Sequence, residues 1–185
     1  MFLFSAAYVL FMGTRSEYFL DSVAAFIGLG SNLGEPAENL RRAVALLREI
    51  PGLVSIETSQ VYLTEPQGVK DQPWFANQVA KATCSANWTA QGFLQRLLDL
   101  EISLGRQRKE RWGPRLIDLD LLLFGTREMC SPDLVLPHPR IGERAFVLVP
   151  LLDIEPGLCL PDGRYLSTML DQLPYRVEGD IIWQD

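Results

Sequence analysis

The chain has 185 residues, 48% of them apolar, with three cysteines, one histidine and a net charge of −6. That length and apolar content suffice for one globular domain, and the acidic balance excludes a protein whose main surface binds nucleic acid, which requires a basic face. Cys84, Cys130 and Cys159 are odd in number and widely spaced, which fits a reducing compartment, and the lone His138 argues against a zinc site.

Residues 1–22 open with an apolar run, Met1 to Met12, that is too short to cross a bilayer, and no Lys or Arg precedes Arg15 as a signal peptide requires. They are read as an N-terminal extension ahead of a single domain over residues 23–175, followed by a tail over residues 176–185. Val23 to Leu29 predicts a buried strand that stops at Gly28-Leu-Gly30-Ser-Asn-Leu-Gly34. Leu40, Ala43, Val44 and Leu47 then recur at helical spacing from Pro36 until Pro51-Gly52. Leu53 to Tyr62 predicts one strand, with Val54, Ile56 and Thr58 on one side, running into the polar loop TEPQGVKDQP. Phe75 to Thr83 predicts another strand and Trp88 to Leu104 an amphipathic helix stopped by Gly105. Leu116 to Phe124 is apolar enough to predict a strand near the middle of a sheet, with Leu134 to Leu136 as a short companion. Arg144 to Ile154 predicts a helix, and from Leu170 onward no element is assigned.

Strands separated by two helices, with hairpin neighbours, predict an α+β sandwich rather than a doubly wound nucleotide fold. The glycine turn departs from GxGxxG and no GKS or GKT triplet occurs, so the turn reads as a tight strand-to-helix connection.

The most distinctive stretch is GRQRKERWGPRLIDLD, from Gly105 to Asp120. Five bases, Arg106, Arg108, Lys109, Arg111 and Arg115, crowd against Glu110, and two aspartates follow one residue apart. On a strand, Asp118 and Asp120 point to the same face while Ile117, Leu119 and Leu121 face a core. Carboxylates so paired suit magnesium, which takes few protein ligands and completes its shell with water and phosphate. Arginine suits phosphate because its planar fork donates two hydrogen bonds at once. A polyphosphate with its metal ions satisfies both halves, and a loop with Gly113-Pro114 and Trp112 can close over it.

These residues sit among others that together resemble one family. The blocks IGLGSNLG (residues 27–34), YLTEP (62–66), DQPWFAN (71–77), GRQRKERWGPRLIDLDLLLFG (105–125), LPHPR (136–140) and RAFVLVPL (144–151) come in the order of the 6-hydroxymethyl-7,8-dihydropterin pyrophosphokinases of folate biosynthesis. The resemblance spans Val23 to about Pro161. It implies a ferredoxin-like sandwich with a mixed, mostly antiparallel sheet and long mobile loops. It also implies transfer of the pyrophosphoryl group of ATP to a reduced pterin, with two Mg2+ ions on Asp118 and Asp120.

By the same resemblance Arg106 and Arg115 are catalytic, on a lid that orders when substrates bind. Thr64, Pro66, Phe75, Asn77, Trp112 and Phe146 surround the pterin. Glu101, Arg106, Arg108, Arg111, Trp112, Arg115, Leu121, His138 and Arg144 line the ATP site. Stacked rings from Phe75 and Phe146 with the Asn77 amide are a sound way to hold a flat heterocycle. A cytoplasmic monomer acting on small molecules, with no nucleic-acid or membrane partner, is the expectation. The alternative is a non-catalytic nucleotide or oligonucleotide binder that uses the basic loop and Trp112.

Overall fold

The computed structural model describes residues 22–106 and 113–184. Its elements are β1 (Ser22–Ser31), α1 (Pro36–Arg48), β2 (Leu53–Thr58), β3 (Tyr62–Thr64), β4 (Phe75–Ser85), α2 (Ala90–Ser103), β5 (Asp118–Phe124), β6 (Met129–Cys130), β7 (Val135–Leu136), α3 (Ala145–Ile154), α4 (Leu166–Leu170), β8 (Tyr175–Glu178) and β9 (Ile181–Gln184). The sheet runs β5-β1-β4-β3-β9-β8, with β2 also paired to β4. Its ladders are antiparallel apart from β3 with β9. Two split β-α-β units, β1-α1-β2 around β4 and β4-α2-β5 around β1, make this the expected ferredoxin-like α+β fold.

Strand alternation divides the apolar residues between two cores. Ala25, Ile27 and Leu29 of β1, with Leu119 and Leu121 of β5, face α1 and α2, where Leu40, Leu47, Phe93 and Leu97 are fully buried. Phe26, Val79, Leu122 and Leu123 face the other way, beneath α3 and α4. Thr89 caps α2 by accepting the Gly92 N–H at 3.1 Å, which satisfies one of the amides a helix start leaves open.

Several expectations are corrected. Leu53 to Tyr62 forms two strands. Ser59 interrupts the ladder by accepting the Val79 N–H on its hydroxyl at 3.0 Å. The register shifts between Leu53 and Ser55, so Val54 is 60% exposed instead of sharing a side with Ile56. β5 ends the sheet rather than running through its middle. It reads as a central strand because both of its faces are covered, and the His138 N–H donates to Leu122 O at 2.9 Å on its outer side. Gly28 and Gly30 lie inside β1, and only Gly34, at φ 63°, occupies the turn. The expected tail is largely a hairpin: β8 and β9 join the sheet through Leu63 and Thr64. Residues 1–21 lie outside the described residues. No helix among the described residues is long and apolar enough to cross a membrane.

Leu97, fully buried between α2 and the sheet, tests the first core. Leu97→Ala is expected to lower unfolding free energy by about 2–5 kcal/mol, seen as a lower urea midpoint at unchanged slope.

Candidate active site

α3 and α4 cover only part of the second sheet face. The uncovered end forms a cleft of about 510 Å³ whose floor is β1 and its neighbours. Gly30 stands opposite Asp118 of β5 on one side and Asn77 of β4 on the other, and Gly28 stands opposite Asp120 and Val79. The two glycines leave the floor bare. A Cβ on Gly30 would lie 3.3 Å from Asn77 Oδ1, and one on Gly28 would lie 3.5 Å from Leu122. An apolar and amide end is thereby joined to a charged end by open backbone.

At the first end Phe75, Asn77, Thr64 and Phe146 line the cleft. Asn77 is buried and donates from Nδ2 to Thr64 Oγ1 at 2.7 Å, which orients its amide. At the other end Asp118 is shared by two arginines. Arg106 reaches one oxygen at 2.8 Å and Arg115 pairs with the other. Arg106 also pairs with Glu101, which is 2% exposed and accepts the Leu119 N–H at 2.7 Å. Burial pushes the Glu101 carboxyl up, against the pull of Arg106 and the Leu119 amide. Asp120 is pushed up to about 6, first by burial and then by Asp118, with Arg144 opposing. Burial and Arg140 lower Arg144, whose Nε has no hydrogen-bond partner among the described residues. His138 accepts the Arg140 N–H on Nδ1 at 3.2 Å, and burial, Arg144 and Arg140 hold it down at about 4.

Among the described residues no cluster of three or more His, Cys, Asp or Glu side chains could hold a metal. Two carboxylates on one strand face suit only an ion that draws its other ligands from water or substrate, as magnesium does. The donor set therefore fits magnesium held beside phosphate. It does not fit a closed structural site.

The structure brings together Arg106, Arg115, Asp118, Asp120, Thr64, Phe75, Asn77, Phe146, Glu101, His138 and Arg144. Pro66 is buried without lining the cleft, whereas its neighbours Glu65 and Gln67 do line it. The Leu121 side chain lies with Leu119 in the core under α1 and α2, and Leu121 is not among the residues that line the cleft. Arg108, Arg111, Trp112 and most of the expected lid lie outside the described residues. Sequence reasoning missed Gly28 and Gly30 as floor, although two glycines inside one strand were a visible signal. It also missed Asn32. Its N–H donates to Arg115 O at 3.0 Å, its Oδ1 accepts the Arg115 N–H at 2.7 Å, and its Nδ2 donates to Gln72 Oε1 at 3.1 Å and Pro73 O at 3.0 Å. One amide thus ties the Arg115 segment to the loop before Phe75.

A cleft with an aromatic and amide end and an arginine–carboxylate end, on a ferredoxin-like sheet, has the make-up of a phosphoryl-type transferase. The model of the 7,8-dihydro-6-hydroxymethylpterin-pyrophosphokinase (HPPK) family matches residues 26–156, and the chain belongs to that family. It is 41% identical over 150 residues to the 2-amino-4-hydroxy-6-hydroxymethyldihydropteridine pyrophosphokinase of Pseudomonas aeruginosa, covering 81% of this chain and 91% of the relative. The protein of the same name from Methylorubrum extorquens is 44% identical over 136 residues, 74% of this chain and 85% of the relative. A solved Plasmodium falciparum HPPK-DHPS shares the fold at TM-score 0.63 and 14% identity, over 87% of this chain and 46% of that one. The chain thus spans about half of that two-part protein. Family membership does not favour the alternative of a non-catalytic binder.

His138 yields a pH prediction. Its folded pKa, about 4, lies below its unfolded value, so protonation favours the unfolded chain. The stability it contributes is present above about pH 6.5 and is lost as pH falls toward 4. Asp120, raised to about 6, acts in the opposite sense, so wild type alone does not isolate the histidine. The stability advantage of wild type over His138→Asn, from urea midpoints, is expected to shrink steadily between pH 6.5 and pH 4. A constant difference would show that His138 titrates normally.

Proposed function

We propose that this protein transfers the pyrophosphoryl group of ATP to the hydroxymethyl group of 6-hydroxymethyl-7,8-dihydropterin, as a magnesium-dependent cytoplasmic monomer. The hydroxyl oxygen attacks the β-phosphorus, the bond from that phosphorus to the α–β bridging oxygen breaks, and AMP leaves as the hydroxyl proton is lost. The products are the pterin diphosphate and AMP. The observation that carries this reading is the single bare floor of Gly28 and Gly30, with Phe75, Phe146 and Asn77 at one end and Asp118, Arg106 and Arg115 at the other.

Phe75 and Phe146 bind a flat heterocycle by their faces, and Asn77 supplies both a donor and an acceptor to its edge. Arg144 and His138 border the phosphate side, where a neutral His138 donates or accepts a hydrogen bond without adding charge. Asp118 and Asp120 would hold two magnesium ions, which when bound neutralise phosphate charge and polarise the attacked phosphorus. Arg106 and Arg115, which pair with Asp118, are the cations that would take phosphate oxygens and stabilise charge as it develops. Asn32 keeps the Arg115 backbone in register with the loop before Phe75, so the two substrates meet in line.

The purified protein with ATP, magnesium and the reduced pterin is expected to release AMP, and ADP as the nucleotide product would show that a different group is transferred. Asp118→Asn is expected to lower that rate by at least about 10³-fold while Tm stays within a few degrees. Near-normal turnover of that variant would remove Asp118 from the metal site. Phe75→Ala separates the two ends of the cleft. By calorimetric titration it should weaken pterin binding about tenfold or more and leave ATP affinity within about twofold, whereas equal losses would indicate general damage.

A further inference from the structure

Helix α3 starts without a cap of its own. Its N-cap residue is Arg144, whose side chain makes no capping bond, so the first amide of the helix that carries Phe146 depends on a partner from elsewhere. That partner is Gln184, at the end of β9. Its Oε1 accepts the Ala145 N–H at 2.8 Å and its Nε2 donates to Glu143 O at 2.7 Å. An amide nitrogen only donates here and a carbonyl only accepts, so the orientation of the Gln184 side chain is fixed.

The two bonds grip the carbonyl before Arg144 and the amide after it. Arg144 lines the cleft within electrostatic reach of Asp120, and Phe146 follows two residues on. The same Oε1 accepts from Gln67 Nε2 at 3.2 Å, and Gln67 belongs to another wall of the cleft. One residue earlier, Trp183 packs edge-to-face on Trp74 at 5.1 Å, next to Phe75, and Arg176 lies over Trp183 at 4.9 Å. These C-terminal residues lie beyond residue 156, where the family match ends.

We propose that Gln184 is a positioning residue: it fixes the backbone on both sides of Arg144 and ties it to Gln67, so the C-terminal hairpin sets ligand affinity without lining the cleft. The inference rests on the pyrophosphokinase reading of the cleft given above. Gln184→Ala is expected to speed hydrogen exchange at the Ala145 amide about five- to tenfold, the worth of one capping bond. It should raise the pterin KM by a similar factor while kcat changes by less than about threefold. Gln184→Glu keeps the acceptor for Ala145 and should hold its exchange within about twofold of wild type. Ile50→Val, a core change remote from the cleft with a similar stability cost, should leave the KM unchanged. Unaltered exchange at Ala145 in Gln184→Ala would overturn the clamp. An equal rise in KM for Ile50→Val would overturn positioning in favour of plain stability loss. Absence of AMP release by wild type would sink the pyrophosphokinase reading instead, and the exchange result would still decide the clamp.

Discussion

The register of β1 between β4 and β5 decides what the cleft contains. Because side chains alternate, Ala25, Ile27 and Leu29 can enter the first core only if Gly28 and Gly30 lie on the opposite face, between Asp118 and Asp120 on one side and Asn77 and Val79 on the other. A slip of one residue would turn three buried apolar side chains toward the cleft and the glycines toward the helices. The apolar pattern therefore protects the site geometry indirectly. Each glycine inside a strand costs about 0.5–1 kcal/mol relative to alanine, and full burial of Ala25 and Ile27 in the same strand offsets that cost. A short sheet row then carries an acid, a bare backbone and an amide side by side.

Much of this was legible where a local rule operates. Helical spacing located α1 and α2, and the period of two placed Asp118 and Asp120 together. That same parity puts the Leu121 side chain with Leu119 in the core, so the assignment of Leu121 to the ATP site rests on the resemblance alone. The position of β5 was not legible, since a strand covered on both faces has the same apolar density whether it is central or terminal. The hairpin of β8 and β9 escaped for a different reason. Its strands are four residues each, and Arg176, Glu178 and Asp180 dilute the alternation, because much of β8 is exposed. Asn32 and Gln184 had no local signal. Their partners lie 83 and 39 residues away in the chain, and an amide that bridges distant backbone looks in sequence like any other polar residue.

Bracing from a distance is common to both of these amides. Asn32 holds the segment that carries Arg115 against the loop before Phe75, and Gln184 holds the segment that carries Arg144 against Gln67. Each uses one side chain with both a donor and an acceptor to satisfy backbone groups that no helix or strand satisfies. Loops around a cleft have few apolar contacts to fix them, so amides of this kind supply the order that packing supplies elsewhere.

The charged end then has to be considered as a whole. Glu65, Glu101, Asp118 and Asp120 stand against Arg106, Arg115, Arg140 and Arg144, four acids against four bases among the described residues of the cleft. Arg106 and Arg115 are already engaged by Glu101 and Asp118, so neither meets a polyphosphate without leaving a carboxylate. Under the proposed reaction the partners would be exchanged instead of added: the aspartates would hold magnesium and the arginines would take phosphate. Exchange of this kind lowers the heavy cost of leaving a buried charge alone for Asp118, Arg106 and Arg115, while Glu101 keeps the Leu119 N–H. Asp120 is the group with most to gain. Its carboxyl is raised by burial and by Asp118, and a cation would favour its charged form. Nucleotide and metal should therefore enter together more readily than either enters alone, since only together do they supply new partners for both halves of the ion-pair network.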